Sequence, residues 1–383
     1  MKQEMISYLS TIKEEIFNLS KYLYDNPEEA FKEVKASEYI ETLLQKHDFK
    51  VTKNYENIST AFMAQFGNDH PRICFICEYD ADAHLGHIRG NNLTTSMSVA
   101  AALSLAKIIP KSGGSVIVLG CPGEYIHGTK ETLIRQGVFE DIDAVLMAHP
   151  FTKNMESEKT CALVPIKICF KNSGASILGN YTAFEAGSIF VNTLFMLLKS
   201  GTDTYSLQNL SINDSECSFY ISAPTMQKAC DLRKQLESLS SLIGNITGYT
   251  TETSLFEQPC MELITSDTIS RLFAHNLKEN GIIDICTPEK MVCGSTIGSI
   301  SHEIPCIHPY VAIVEDASIK FPSKEFGTNT LTPFAQEQVI KAAEALSFTA
   351  LDLIEKESLL REAKVELSKI VFKQNESCGQ AKK

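Results

Sequence analysis

Glu78 and Asp80, the pair His84-x-x-His87, Arg89, Asn91, Glu124 and His149 are the side chains in this sequence best suited to chemistry. Imidazole and carboxylate are ordinary ligands of a hydrolytic zinc, which polarises a carbonyl and makes its bound water acidic. His84, His87 and His149, with Asp80, Asp82 and Glu124 nearby in the pattern, supply enough donors for one metal with an open position for water. The plainer reading is that two histidines three apart on a loop need no metal. Arg89 favours that reading, because a guanidinium is always protonated and has no lone pair to give. At ~4 Å it would repel a zinc ion by several kcal/mol. Other chemistries find no support. A G-x-S-x-G nucleophile turn is absent, and Gly113-Gly114 lacks the spacing of a phosphate loop. Cys74-x-x-Cys77 sits in the apolar run ICFIC, a strand pattern that turns residues three apart to opposite faces.

The order Glu78-Tyr79-Asp80-Ala81, Gly86-His87-Ile88-Arg89-Gly90-Asn91-Asn92, Pro122-Gly123-Glu124-Tyr125 and Ala148-His149-Pro150 resembles a known signature. It is similar to that of the two-zinc amidohydrolases and metallopeptidases, the family of aminoacylase, aminobenzoyl-glutamate hydrolase and β-alanyl-lysine dipeptidase. There the segments read roughly EYDAL, GHACGHN, PAEE and HP. The resemblance implies metal-ligand positions at Arg89, Asn91, Tyr125, His149 and Pro322, the last from FPSKEF. Only His149 is still a competent ligand. An amide such as Asn91 replaces imidazole poorly, Tyr125 would have to bind as phenolate, and proline has no ligating side chain. Glu124 stands at the implied general base, with Glu78 and Asp80 at the acidic positions and His87 at the first histidine. The lid histidine would fall at Ser176, with further family positions near Leu210, Ser222 and Ile297. Ile304-Pro305-Cys306-Ile307-His308-Pro309 resembles the dipeptidase branch. His308, like His302, then orients a loop, or it lines a ligand pocket with Glu78, Asp80 and Arg89. His275 reads as a surface histidine on a helix. Arg89 is expected to pair with Glu124 or Asp80, since carboxylates once balanced by metal would otherwise repel one another.

These residues need a scaffold. Residues 8–24 and 31–47 show helical spacing of apolar side chains, separated by Asn26-Pro27, and 97–109 is an Ala/Leu-rich helix. Ile73–Cys77, Val116–Leu119 and Ala144–Met147 are short runs without polar alternation, as expected of strands buried on both faces. Val164, Ile166, Ile168 and Phe170 alternate as on a half-buried strand, followed by helices at 184–199 and 225–246 around a strand at 218–221. The pattern predicts an α/β fold: a catalytic-type domain with a mixed central sheet flanked by helices, over 1–162 and 263–383. A smaller α+β domain over 163–262 is inserted in it. The resemblance implies that the insertion is a lid and dimerisation domain. A helix at 268–280 re-enters the main domain, a long helix over 335–370 closes it, and the polar tail KQNESCGQAKK is expected to be disordered.

With 383 residues, 44% hydrophobic and 21% charged, the composition is that of a soluble globular protein with room for two domains. A net charge of -12 argues against nucleic acid or an anionic membrane as partner. No apolar stretch approaches the ~20 residues of a membrane span. The N-terminus lacks a signal-peptide core, and twelve cysteines without a framework suit the cytoplasm. The expectation is a catalytically silent family member, a binding or regulatory subunit without cofactor. It would form a homodimer, or a heterodimer with an active paralogue, through 163–262, and could hold a small carboxylate ligand on Arg89. The alternative is a working amidohydrolase for N-acyl amino acids or dipeptides, with one zinc in a remodelled site.

Overall fold

The structure is a computed structural model that describes residues 1–124, 128–157, 160–174, 179–200, 205–287, 295–316 and 318–380. Its strands in chain order are β1 Lys50–Lys53, β2 Phe62–Phe66, β3 Arg72–Cys77, β4 Ser115–Gly120, β5 Ala144–Leu146, β6 His149–Phe151, β7 Ala162–Asn172, β8 Ser206–Ile212, β9 Glu216–Ala223, β10 Tyr249–Ser254, β11 Cys306–Ile307 and β12 Tyr310–Ala312. The helices are α1 Lys2–Asp25, α2 Val34–Lys46, α3 Asn91–Ala106, α4 Ile109–Ser112, α5 Thr129–Arg135, α6 Ala183–Ser200, α7 Met226–Thr247, α8 Asp267–Glu279, α9 Ile297–Ser301, α10 Lys324–Asn329, α11 Pro333–Glu355 and α12 Glu357–Gln380. Two compact units emerge. One holds Met1–Glu158, Ile264–Glu289 and Ile300–Lys383; the other holds Lys159–Leu263 and Lys290–Ser299.

The first unit is built on a mixed sheet in the order β1-β2-β4-β3-β5-β11. β3, β4, β5 and β11 run parallel to their neighbours, whereas β2 joins β4 and β1 antiparallel. Ile73–Cys77 and all of β4 are buried, because helices cover both faces of the parallel strands. Helix α3 begins at Asn91, six residues before the expected start, and every one of its residues is buried. Several of the polar residues that open it are bonded inside: the Thr95 hydroxyl donates to the Glu78 carbonyl and that of Ser98 to Ile76. These two bonds also pin the end of β3, where the site begins. The other differences are local. The segment before Val34 is a turn, with Phe31 at φ 61°. The expected helix over 335–370 is two helices broken at Lys356 (φ -120°, ψ 79°). The tail continues α12 to Gln380, against the expected disorder.

The second unit is a four-stranded antiparallel sheet, β10-β7-β9-β8, with α6 and α7 packed against it. Val164, Ile166, Ile168 and Phe170 are buried with Phe190, Val191 and Leu194 of α6 and with Leu236 and Ile243 of α7. Among the described residues strand β8 pairs with β9 alone, and it carries a bulge between Gln208 and Ser211, with Asn209 at φ 48°. That irregularity hides its period from the sequence. Residues 295–299 group with this unit, although they lie outside the span expected for the insertion.

Candidate functional site

Four parallel strands end on one edge of the first unit's sheet, and the segments leaving them carry the site. Glu78 follows β3, Gly123-Glu124 follows β4, His149 follows β5 and His308 follows β11. The crevice beyond the carboxyl ends of parallel strands is where open α/β sheets place ligands.

At its centre is a residue that the sequence reading passed over. Lys130, in the first turn of α5, is fully buried, with Nζ 2.6 Å from Glu78 Oε1 and 2.7 Å from Glu124 Oε2. Burial alone would lower its pKa, but the Glu124 and Glu78 carboxylates outweigh that and hold the ammonium above its ordinary range. Burial likewise works to raise Glu78, and the Lys130 charge, then His149, bring it below its ordinary value. Glu124 thus faces an ammonium. Breaking such a pair from one side costs about 3–5 kcal/mol.

Beside the pair lies a cluster of rings. His149 and Tyr310 sit in register on β6 and β12. The His149 ring is 5.7 Å from His308, 5.9 Å from Tyr310 and 5.8 Å from Phe321, centroid to centroid. His149 Nδ1 donates to the Pro150 carbonyl at 2.8 Å, which fixes the tautomer. Burial lowers its pKa; Glu78 opposes this, and the charges of Arg89 and Lys130 lower it further. His308 is pushed down to about 3, chiefly by burial. Neither of its ring nitrogens has a hydrogen-bond partner among the described residues.

The remaining expected residues separate into two groups. Asn91 Nδ2 donates to Asp80 Oδ1 and to the Asp80 carbonyl, both at 3.0 Å, so the side chain at this position, where the resemblance implies a ligand, ties the loop. Arg89 is half-buried. Its charge reaches His149 and Asp82; the expectation pairs it with Glu124 or Asp80, and Glu124 holds the Lys130 ammonium. Pro322 is exposed, and the Phe321 ring takes the neighbourhood of His149. Tyr125 and Ser176 lie outside the described residues. Ser222 is buried on β9, its hydroxyl 2.6 Å from that of Ser206. His275 is exposed on α8, and Ile297 is fully buried.

The three imidazoles of the remodelled zinc site do not meet. His84 is exposed, its backbone N–H spent on Asp82. His87 is buried with Nε2 donating to the Leu23 carbonyl of α1 at 3.0 Å, and burial depresses it to about 4. No group of three or more metal-binding side chains occurs among the described residues. A two-zinc centre does not fit the residues present either. The implied positions hold a guanidinium, an amide already committed to Asp80 and a proline, and the carboxylates beside them carry a lysine. Only the missing signal of Lys130 could have been caught from sequence: a lysine six residues after Glu124, at the start of a helix, can turn back to the site.

No protein-family model matches the chain. Xaa-Arg dipeptidase of Mus musculus is 29% identical over 392 residues, spanning 94% of this chain and 90% of its own length. One of the subunits of p-aminobenzoyl-glutamate hydrolase from Escherichia coli K12 is 28% identical over 309 residues, 71% of this chain and 63% of its own. Among solved structures, a dinuclear metal-binding peptidase of the M20 family from Bacillus subtilis superposes with a TM-score of 0.68 at 14% identity. That match covers 91% of this chain and 99% of the other, and at that identity it speaks for the fold.

Proposed function

From a chain homologous to Xaa-Arg dipeptidase and aminobenzoyl-glutamate hydrolase, with the M20 peptidase fold, we propose a peptidase- and amidohydrolase-family member that binds rather than hydrolyses. It would serve as a binding or regulatory subunit. One observation supports this reading: the buried Lys130 ammonium is seated on Glu78 and Glu124, the carboxylates near His149, and Arg89 adds a second cation to the same neighbourhood. A divalent ion there would meet both charges without the ligands that offset them elsewhere. The same arrangement supports an organic anion, with the Arg89 guanidinium offered to a carboxylate.

The described part of the second unit supports self-association. β8 is an edge strand, and α6 exposes Phe184, Ile189, Phe195, Met196 and Leu197. Our reading is a homodimer through this unit, with a heterodimer on an active relative as the variant. No helix among the described residues is long and apolar enough to cross a membrane. Twelve cysteines without a disulfide framework in the sequence favour a reducing compartment, and we place the protein in the cytoplasm.

Elemental analysis and turnover decide the main point. Protein purified without chelator should carry no stoichiometric zinc. It should leave Xaa-Arg dipeptides, N-acyl amino acids and aminobenzoyl-glutamate intact. About one zinc per chain, with hydrolysis lost in His149→Ala, would replace this reading with that of a working amidohydrolase.

A further inference from the structure

The segment Pro27–Glu33 runs over the loops that carry the site and is tied to two of them. The Ala81 N–H, just past Glu78 and Asp80, donates to the Glu28 carbonyl at 2.8 Å. The Gly123 N–H, one residue before Glu124, donates to Glu33 Oε1 at 2.9 Å. The same oxygen accepts from Phe31 N–H at 2.9 Å, and Oε2 accepts from the Thr60 hydroxyl at 3.1 Å. Thr60 in turn receives the Tyr79 hydroxyl on its carbonyl at 2.6 Å. The far end is anchored because the Glu28 carboxylate accepts the N–H groups of Lys35 and Ala36, in the first turn of α2.

Phe31 completes the strap. At φ 61° it takes a backbone conformation that side chains other than glycine seldom adopt. Its ring lies against Gly123 and Gly128, so close that a Cβ on either would stand 2.5 Å or 2.8 Å from Cζ. Gly128 directly precedes Thr129 and Lys130, and the Thr129 hydroxyl donates back to the Pro122 carbonyl. One ring therefore rests on Gly123 and Gly128, the glycine before Glu124 and the one two residues before Lys130. Glu33 itself is fully buried, and its hydrogen bonds come from neutral donors. A carboxylate taken out of water on such terms is costly in general fold stability. Its position one hydrogen bond from the Glu124 backbone gives it a use.

We infer that Pro27–Glu33 is a strap that sets where the Glu124 carboxylate stands, with Glu33 as a positioning residue acting through Gly123 and Phe31 as the cover on Gly123 and Gly128. The inference is independent of whether the site binds or hydrolyses. It predicts that loosening the strap moves the Glu124–Lys130 pair while the sheet stays intact.

Amide hydrogen exchange at Gly123 and the side-chain ammonium NMR signal of Lys130 test it. In Glu33→Ala the Gly123 amide should exchange about tenfold faster or more, the equivalent of one lost hydrogen bond, and the Lys130 signal should shift or broaden. Glu33→Gln, which keeps an acceptor for Gly123, should restore both. Thr60→Val removes a bond to the same carboxylate away from the loop and should leave Lys130 unchanged at comparable stability. If Glu33→Ala does not fold, Phe31→Ala replaces it, since that ring is partly exposed and its removal should free the same amide and shift the same signal. A Lys130 signal unmoved in the folded variants, or moved equally by Thr60→Val, overturns the inference.

Discussion

Lys130 is the residue on which the site's electrostatics turn. Replaced by alanine, it takes from the buried Glu78 and Glu124 the ammonium that both carboxylates pair with, and at neutral pH the fold should lose about 3–5 kcal/mol. The pH dependence has a definite sign. Glu78 has a folded pKa below its ordinary value, so the stability it contributes is complete above that ordinary value and disappears as pH falls through the folded one. In Lys130→Ala the same carboxyls prefer to be protonated. The gap between the two proteins should therefore narrow on acidification, as urea denaturation at pH 7 and near pH 4 would show; a gap that widens would contradict the buried pairing. The histidines add a second acid-sensitive step. His308 titrates near 3 in the fold against 6.5 for the free group. The unfolded chain therefore takes up its proton first, and stability falls as pH drops below about 6.5. His308→Phe should reduce the slope of that part of the profile between pH 6.5 and 5, with His87, depressed to about 4, and His149, also lowered by burial, supplying what remains.

Elements were legible where a single local pattern sufficed. β3, β4 and β5 are apolar throughout, and α1, α6 and α7 have clean helical faces, so their existence was plain. The start of α3 was not, because Asn91-Asn92-Leu93-Thr94-Thr95-Ser96 has the composition of a loop and becomes helical only through burial against β3 and α1. The site followed the same division. The family resemblance implied one site for Glu78, Glu124 and His149, with His308 as a possible pocket residue; in the structure each follows a parallel strand. It did not show that His87 turns to α1 or that Lys130 reaches in, because side-chain direction depends on contacts distant in sequence. Gly90 illustrates how tightly the entry to α3 is made. It sits at φ 78°, and a Cβ there would stand 2.6 Å from Pro150 Cγ. Gly90→Ala should cost about 1–3 kcal/mol in backbone strain alone, with the clash added. Gly128→Ala meets only the movable, partly exposed ring of Phe31 and should cost less. Thermal unfolding of the two variants would order them, and a milder Gly90→Ala would show that the turn before α3 is looser than the packing requires.

For the whole molecule, the question is what covers the second unit's edge strand and its apolar helix face. β8 leaves one side of its ladder open among the described residues, and α6 presents Met196 at 67% exposure with Phe195 and Leu197 beside it. Apolar side chains gathered next to an open strand edge invite pairing, and a two-fold arrangement is the common way to close it without forming a filament. A bulge at Gln208/Ser211 limits how far a second strand could run along β8, so the helix face would supply much of the buried area. Light scattering on the purified chain should then report a dimer at micromolar concentrations. The double variant Phe195→Asp, Met196→Asp should be monomeric, because both side chains lie on the surface and their replacement leaves the buried core of Phe190, Leu194 and Phe219 in place. Its far-ultraviolet circular dichroism should match that of the parent chain. A parent chain that is monomeric at those concentrations, or a double variant that still dimerises, would remove this unit as the site of self-association. If the parent is a monomer but co-purifies one-to-one with a hydrolytically active relative, and the double variant does not, the same face serves the heterodimer instead.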